Sequence, residues 1–284
     1  MQYRVEIVPS GHVFEAKTGE RLLDAALRQD IRLPYGCRNG DCGSCKVQLL
    51  QGEVDYPSGR PQLLANEPAG TCLTCQATAR SDLRLEAREL QSLADFEPRL
   101  MPCRVQRIDH LATDVIRVWL KLPDNQRLQF FAGQYLNFIL RDGRKRSFSI
   151  ANAPHDDELI ELHIRHVDGG RFTDWVFTQM KERTILRIQA PLGTFTLDEN
   201  SDRPMIFMGG GTGFAPLKGQ IEQAFENGIE RPMHLYWGVR AKRDLYLPDL
   251  PRQWAAEHDN FTFVPVLSEP DADWAGRTGW VHEA

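Results

Sequence analysis

Polar and apolar residues alternate near the start of the chain, over residues 3–8 and again over 12–16. Successive side chains of a strand point to opposite faces of its sheet, so this pattern predicts two strands joined by a turn. Residues 20–29 instead repeat leucine and alanine at helical spacing, which predicts a helix. Between about Glu89 and Pro102 the alternation is lost, and this stretch contains Pro98 and Pro102. We therefore predict a first α+β domain at residues 1–90 and a linker at 91–101.

Two further patterns follow the linker. Between residues 102 and 199, short alternating runs are separated by turn-forming residues, which predicts an antiparallel β-barrel. These runs include Val115 to Lys121, Tyr135 to Arg141 and Glu158 to Val167. Between residues 200 and 284, apolar runs alternate with a helix at Phe214 to Asn227, which predicts a parallel sheet with right-handed connections. Its apolar runs are Met205 to Met208, His234 to Gly238 and Phe261 to Leu267.

Composition is consistent with three globular domains. The chain has 284 residues, of which 42% are hydrophobic and 26% are charged, and its net charge is -5. Basic and acidic residues nearly balance, so we do not expect a nucleic-acid partner. The start has no basic-then-apolar leader, and no stretch approaches the roughly 18 apolar residues of a membrane helix. We therefore expect a cytoplasmic protein without a membrane span.

Four of the six cysteines follow a spacing typical of iron-sulfur proteins. They are Cys37, Cys42, Cys45 and Cys75. The first three form a C-x4-C-x2-C loop, and the fourth comes from a distant part of the chain, as in plant-type [2Fe-2S] proteins. Glycines 36, 40 and 43 allow tight backbone turns that bring amide N–H groups to the sulfur atoms. The sequence therefore predicts a [2Fe-2S] cluster with these four ligands.

A structural zinc site is the alternative interpretation of the cysteines. Cys42 and Cys45 form one C-x2-C pair and Cys72 and Cys75 form another, a pattern that also binds zinc. The chain would then be a zinc-containing binding module without redox activity. Against this hypothesis, the two pairs are farther apart than in a zinc ribbon, and zinc would leave Cys37 without a role. Colour separates the alternatives, because a cluster absorbs visible light and zinc does not.

Two motifs in the barrel region have the chemistry of a flavin site. The first is Arg146-Ser147-Phe148-Ser149, in which arginine suits a pyrophosphate and the ring can lie on a planar cofactor. The second is Gly170-Arg171-Phe172-Thr173, which precedes a predicted helix at 174–180 and offers backbone donors to a diphosphate. Taken singly, they also fit a solvated basic turn and an ordinary helix N-cap.

The last domain contains a candidate nucleotide-binding turn. A strand, the glycine-rich run Gly210-Gly211-Thr212-Gly213 and a helix follow one another, which is the context that a phosphate-binding turn requires. A glycine-rich turn without a ligand is the alternative. Farther on, Arg240, Lys242 and Arg243 could bind a 2'-phosphate, whereas Asp244 would repel one. The choice between NADH and NADPH stays open on these residues.

These motifs carry a family resemblance. Residues 35–46 with 73–77 resemble the plant-type ferredoxins, and the flavin and nucleotide motifs resemble the ferredoxin-NADP reductase superfamily in order and spacing. The resemblance implies a multidomain α+β and α/β protein. Its parts would be a β-grasp ferredoxin domain, an antiparallel β-barrel flavin domain and a Rossmann-like parallel-sheet nucleotide domain. It also favours Cys75 over Cys72 as the fourth ligand, which leaves Cys72 and Cys103 as small buried residues.

The resemblance also assigns roles around FAD. Arg146 and Arg171 would lie at the phosphates, Phe148 against the isoalloxazine ring and Ser149 near its redox-active nitrogen, so the last two are the expected catalytic residues. Phe148 stands where tyrosine is frequent in the family. The segment His163-Ile164-Arg165 would hold the ribityl and adenine side, with an exposed strand histidine as the alternative for His163.

The implied activity is electron transfer from NADH, with NADPH not excluded, through FAD and the cluster to an electron-accepting enzyme. Residues 33–40 and 131–135 most resemble CDP-6-deoxy-Δ-3,4-glucoseen reductases, a branch whose electron acceptor is a pyridoxamine phosphate-dependent deoxysugar dehydrase. The alternative is the reductase component of a Rieske dioxygenase or a soluble di-iron monooxygenase. We lean to NADH because reductases with an N-terminal ferredoxin domain mostly use it.

The C-terminal end departs from the family pattern. Family members continue with a strand that carries a Cys-Gly-x-Pro motif beside the nicotinamide, whereas this sequence ends at Ala284. We therefore expect a nucleotide domain that is incomplete at its C-terminus and a weakened nicotinamide site. Titration of the flavin with NADH, followed by absorbance, tests this expectation.

Overall fold

The computed structural model divides the chain into two compact units. One consists of residues 1–97 and 122–130, and the other of residues 98–121 and 131–284. The residues that the structure describes are 1–29, 31–35, 38, 40, 43–89, 97–199 and 201–284. Among them, no helix is long and apolar enough to span a membrane.

The first unit has a β-grasp sheet, as the resemblance implied. Its elements are β1 (Gln2–Val8), β2 (Val13–Lys17), α1 (Leu22–Arg28), β3 (Lys46–Gln51), β4 (Val54–Asp55), β5 (Thr71–Leu73), β6 (Thr78–Ala79) and β7 (Leu83–Glu86). Five of these strands form a mixed sheet in the order β2-β1-β7-β3-β5, in which β1 runs parallel to β7. Helix α1 buries Leu22, Leu23 and Ala26, as its spacing predicts. It begins at Leu22 because Arg21 is still extended and bridges to Thr78.

The second unit begins with an antiparallel barrel. Its elements are β8 (Arg99–Ala112), β9 (Val115–Lys121), β10 (Tyr135–Ile139), β11 (Lys145–Ser149), β12 (Ile160–Arg165), α2 (Arg171–Thr178) and β13 (Ile185–Leu192). The strand order is β11-β10-β13-β8-β9-β12, and a bridge between Ile150 and Leu162 joins the two ends of this sheet. The predicted antiparallel barrel is therefore confirmed.

Strand β8 starts inside the segment that we predicted as a linker. Pro102 was one reason for that prediction, yet it lies within β8, opposite Arg187 of β13. The pairing of β8 with β9 begins only at Arg104, so Pro102 is paired on one side, where a residue without an N–H group is tolerated. Residues 90–96 lie outside the described part of the chain.

The second unit continues with a parallel sheet. Its elements are β14 (Met205–Gly210), α3 (Phe214–Glu226), β15 (Met233–Val239), α4 (Asp249–Glu257), β16 (Phe261–Leu267) and β17 (Arg277–Thr278). The strands pair in the order β14-β15-β16-β17 and all run parallel, which confirms the predicted α/β arrangement. Helix α4 was not predicted, because it is short and contains Pro251 near its start, where proline is tolerated.

Candidate functional site

The cysteine site is described in part. Cys45 and Cys75 are buried, with 3.2 Å between their sulfur atoms, which is longer than the roughly 2.05 Å of a disulfide. Cys37 and Cys42, the other two predicted ligands, lie outside the described residues. Cys72 belongs to β5, where it is paired opposite Val47. The structure therefore brings Cys75 beside Cys45, as the ligand prediction requires.

The surroundings of these sulfurs fit a cluster. The backbone N–H of Gly40 donates to the Cys75 sulfur, and Gly40 has a φ of 93° that side chains rarely adopt. Gly43 has a φ of 75°, and a Cβ there would lie 2.9 Å from Cε of Lys46. The hydrogen bond with Cys45, followed by burial, raises the pKa of Cys75 above its ordinary value. Two thiolates in this position need a cation beside them, and the iron of a cluster supplies that charge.

Gln129 supports the segment that leads into the cysteine loop. Its side-chain amide donates to the Leu33 carbonyl and accepts from the Tyr35 N–H, both at 3.1 Å. These two hydrogen bonds fix the backbone shortly before Cys37. This contact could not be predicted, because Gln129 is 94 residues from Tyr35 and belongs to no motif.

The two flavin motifs meet through aromatic rings. Phe148 of β11 lies 5.7 Å from Phe138 and 5.7 Å from Phe172, measured between ring centroids. The Ser147 hydroxyl donates to Asn137 Oδ1 at 2.6 Å and thereby ties β11 to β10. Phe148 is only half-buried, so one part of its ring is open to a planar ligand. The observed cluster fits an isoalloxazine ring at this position.

Arg146 and Ser149 lie beside this aromatic cluster on the same strand. Arg146 is half-buried as a residue, and its guanidinium donates from Nη1 to the Lys145 carbonyl at 2.8 Å. Ser149 is half-buried and pairs with Tyr135 through the backbone. The arrangement places a positive group and a hydroxyl within one short strand, which suits a cofactor with both a pyrophosphate and a polar ring.

The second flavin motif forms the start of α2. The helix begins at Arg171, earlier than the predicted residue 174, and among the described residues no side chain caps it. Thr173, whose residue type and place before the predicted helix suit an N-cap, does not cap it, because its hydroxyl donates back to the Gly170 carbonyl at 3.0 Å. A Cβ at Gly170 would lie 2.5 Å from that hydroxyl, so the turn requires glycine. The exposed Arg171 and the N–H groups of the first turn suit a diphosphate.

His163 is not the exposed histidine that we considered as an alternative. Its ring is fully buried, with Nε2 3.0 Å from Glu161 Oε1 and Nδ1 3.0 Å from the Tyr246 hydroxyl. Burial lowers the pKa of His163, so the ring is neutral. Both ring nitrogens have protein partners. The Ile164 side chain is buried as well. Only backbone atoms of these two residues are left to contact a cofactor.

Two ion pairs lie beside this histidine. Arg165 Nε is 3.1 Å from Asp114 Oδ2, and Lys218 Nζ is 2.9 Å from Glu161 Oε2. Burial alone would raise the pKa of Glu161, but the hydrogen bond from His163 and the charge of Lys218 lower it to about 2. Sequence analysis missed both Glu161 and Lys218, since neither belongs to a known motif.

The nucleotide turn is closed on one side and open on the other. A Cβ at Gly209 would lie 2.9 Å from Leu217, whereas a Cβ at Gly213 would meet nothing within 4 Å. At Gly210 the nearest atom would be 4.0 Å away. The predicted residues Gly210, Gly211, Thr212 and Gly213 form the end of β14 and a single 3₁₀ turn before α3. Open space above glycine allows a nucleotide to approach the backbone closely.

Arg240 is exposed just past the end of β15, and Asp244 is close by. The Asp244 carboxylate accepts a hydrogen bond from the backbone N–H of Ala241 at 3.0 Å, and Arg240 Nε is 3.9 Å from it. Asp244 therefore caps a turn, and its side chain is only 13% exposed. These positions do not decide between NADH and NADPH.

Comparison with known protein families agrees with these three sites. Residues 5–80 match the 2Fe-2S iron-sulfur cluster binding domain, residues 102–197 the oxidoreductase FAD-binding domain, and residues 207–284 the oxidoreductase NAD-binding domain. Together with the β-grasp sheet, the barrel and the parallel sheet, they define an NAD(P)H-dependent oxidoreductase with an iron-sulfur cluster and FAD.

Individual proteins that are similar to this chain indicate the family within that class of oxidoreductase. The chain is 39% identical over its whole length, and over 85% of the relative, to the CDP-6-deoxy-L-threo-D-glycero-4-hexulose-3-dehydrase reductase of Yersinia pestis. It is 36% identical to terephthalate 1,2-dioxygenase reductase component 1 of Comamonas sp., over 95% of this chain and 80% of the relative. The crystal structure of the Amycolatopsis cytochrome P450 reductase GcoB matches with a TM-score of 0.62 and 36% identity, over 98% and 84% of the two chains. The chain belongs to the iron-sulfur flavoprotein reductase family.

The role of Arg146 can be tested against its neighbour Arg144. We expect Arg146→Ala to raise the Kd for FAD by about 10- to 100-fold, since a hydrogen bond to a charged group contributes about 1.5–3 kcal/mol. Arg144→Ala is the matched control, because Arg144 is exposed and pairs with Asp142 at 2.6 Å. FAD retained per chain after gel filtration measures the effect. Equal retention by the two variants would remove Arg146 from the phosphate site.

Proposed function

We propose that this chain passes electrons from NADH through FAD and a [2Fe-2S] cluster to a pyridoxamine phosphate-dependent dehydrase of CDP-deoxysugar synthesis in the cytoplasm. The observation that carries the proposal is the 39% identity over the full chain to a CDP-6-deoxyhexulose dehydrase reductase. In this role the chain is a CDP-6-deoxy-Δ-3,4-glucoseen reductase. FAD, when bound, accepts a hydride and releases its electrons one at a time, which the cluster requires.

The residues of the chain have separate tasks in this proposal. Arg146 and Arg171 bind the FAD phosphates, and the half-buried Phe148 and Ser149 face the flavin ring. The open glycine turn binds the nucleotide. The cluster is held by Cys37, Cys42, Cys45 and Cys75. No proton-transferring side chain is required, because the protein positions redox groups and keeps water from them.

An oxygenase partner is the second candidate. The 36% identity to a terephthalate dioxygenase reductase component, over 95% of the chain, favours it. All of the cofactor residues discussed above would serve either partner equally well. The two candidates therefore differ only in the protein that receives electrons from the cluster.

Reconstitution separates the two partners. We expect the purified holoprotein with NADH, a CDP-deoxysugar dehydrase and its CDP-deoxyglucoseen product to yield the reduced 3-deoxysugar, detected by mass spectrometry. Terephthalate dioxygenase oxygenase component with terephthalate is the parallel reaction, and it should give little hydroxylated product. Efficient coupling to the oxygenase and none to the dehydrase would reverse the choice.

A further inference from the structure

Strand β12 presents one face to the nucleotide-binding part of the second unit. The side chains at alternate positions of this strand, which share a face, are Glu161, His163 and Arg165. The first binds Lys218 of α3 at 2.9 Å, and the second contacts the Tyr246 hydroxyl at 3.0 Å. Arg165 lies close to the glycine turn. A Cβ added to Gly211 would be 2.7 Å from the Nη1 atom of Arg165. A barrel strand is thus joined to α3 by an ion pair and packs closely against the glycine turn.

Lys218 lies on the same helix as an aromatic residue that packs beside the glycine turn. It lies one helical turn beyond Phe214, the first residue of α3, which follows the turn directly. The Phe214 ring stacks on Trp237 with 4.2 Å between centroids and an interplanar angle of 15°. The indole N–H of Trp237 donates to the Gly211 carbonyl at 2.9 Å. We therefore expect a shift of α3 at Lys218 to reach the turn through Phe214 and Trp237.

The ion pair is too deeply buried to be an ordinary surface contact. The side chains of Glu161 and Lys218 are 1% and 8% exposed. Both carboxylate oxygens of Glu161 are used, one by His163 and one by Lys218, with Arg117 Nη1 3.8 Å away. Lys218 also contacts Glu222 at 2.8 Å. Buried pairs of this kind are often no more stabilising than apolar replacements, so stability alone does not account for it.

We propose that Glu161 and Lys218 are positioning residues that set the glycine turn against the flavin-binding barrel for hydride transfer. In that step the C4–H bond of the dihydronicotinamide breaks, its electron pair and hydrogen form an N–H bond on the flavin, and a solvent proton completes the reduced ring. Misplacement of the donor by about 1 Å can slow such a step by about 100-fold. The proposal uses only the reaction of the family and does not depend on the partner enzyme.

Three variants test the proposal in the FAD-loaded protein. We expect Lys218→Met to lower both the thermal stability and the limiting rate constant for flavin reduction, the latter by about 10- to 100-fold. The Kd for NADH should change little, because neither side chain lies in the turn. In the double variant Glu161→Gln/Lys218→Met the buried Glu161 carboxylate is gone as well, and Glu222, the other partner of Lys218, is 26% exposed, so stability should recover while the rate stays low. Lys218→Arg keeps the pair and should restore the rate. Lys181→Met, on the exposed surface, is the control.

Stopped-flow absorbance measures the limiting rate, and the long-wavelength charge-transfer band of the nicotinamide-flavin complex reports donor placement. Backbone hydrogen exchange at residues 214–218 without NADH gives a readout independent of turnover and should be faster in both methionine variants.

A double variant that regains rate and charge-transfer band together with stability would show a structural role only. A wild-type rate in FAD-loaded Lys218→Met would also overturn the proposal. If Lys218→Met does not retain FAD, the double variant decides. Failure of the wild type to be reduced by NADH would instead contradict the reductase assignment.

Discussion

Replacement of Cys75 by serine is expected to remove the visible absorbance of the cluster and to reduce electron transfer to cytochrome c to background. The Cys75 sulfur is buried 3.2 Å from the Cys45 sulfur and receives a backbone N–H from Gly40, so it has the surroundings of a ligand. Serine keeps the volume but not the soft thiolate that iron-sulfur clusters require. Reduction of ferricyanide by NADH should persist, since the flavin can supply that acceptor directly.

Cys72→Ser is the matched control for this experiment. Cys72 is equally buried and belongs to the same part of the chain, but it lies on β5 opposite Val47. Burial raises the pKa of Cys72 to about 11, which keeps it a neutral thiol. We therefore expect Cys72→Ser to keep its colour and iron. Zinc in place of iron, or loss of metal from the Cys72 variant as well as from the Cys75 variant, would favour the two C-x2-C pairs of the zinc alternative.

The sequence was most informative where a single local requirement decides the structure. Strands β9 and β16 have the bounds that their alternating or apolar runs predict, 115–121 and 261–267. The glycine turn before α3 was also predictable, because crowding at Gly209 and the positive φ of 52° at Gly211 both favour glycine. Such features depend on a few neighbouring residues and therefore leave a pattern in the sequence.

Contacts between distant elements left no such pattern. The histidine of β12 was expected at the surface or at the flavin because alternation shows which residues share a face, but not what covers that face. In the structure α3 and Tyr246 cover it, and all but the last residue of β12 are buried. Lys218 is buried for the same reason, although lysine is normally an exposed residue. The support of Tyr35 by Gln129 likewise arises only from the fold.

Gly213→Ala is expected to weaken NADH binding without harming the fold. Gly213 has a φ of -59° and a ψ of -14°, which any residue can adopt, and its Cβ would meet no protein atom within 4 Å. Alanine should therefore leave the thermal stability unchanged, or raise it by about 0.4–1 kcal/mol through the unfolded state. The added methyl group nevertheless fills the space through which a nucleotide reaches the backbone. We expect the Kd for NADH to rise by about 10-fold, a loss of about 1.4 kcal/mol.

Gly209→Ala provides the contrast, because its Cβ would lie 2.9 Å from Leu217 and 3.0 Å from the backbone of Gly213. That variant should lose thermal stability and NADH binding together, whereas Gly213→Ala loses binding alone. Photochemical reduction of the flavin bypasses the nucleotide, so electron transfer from the flavin to cytochrome c should be normal in Gly213→Ala. Unchanged NADH affinity in Gly213→Ala would mean that the nucleotide does not approach this turn. The glycine-rich run would then have only the structural role that the crowding at Gly209 already explains.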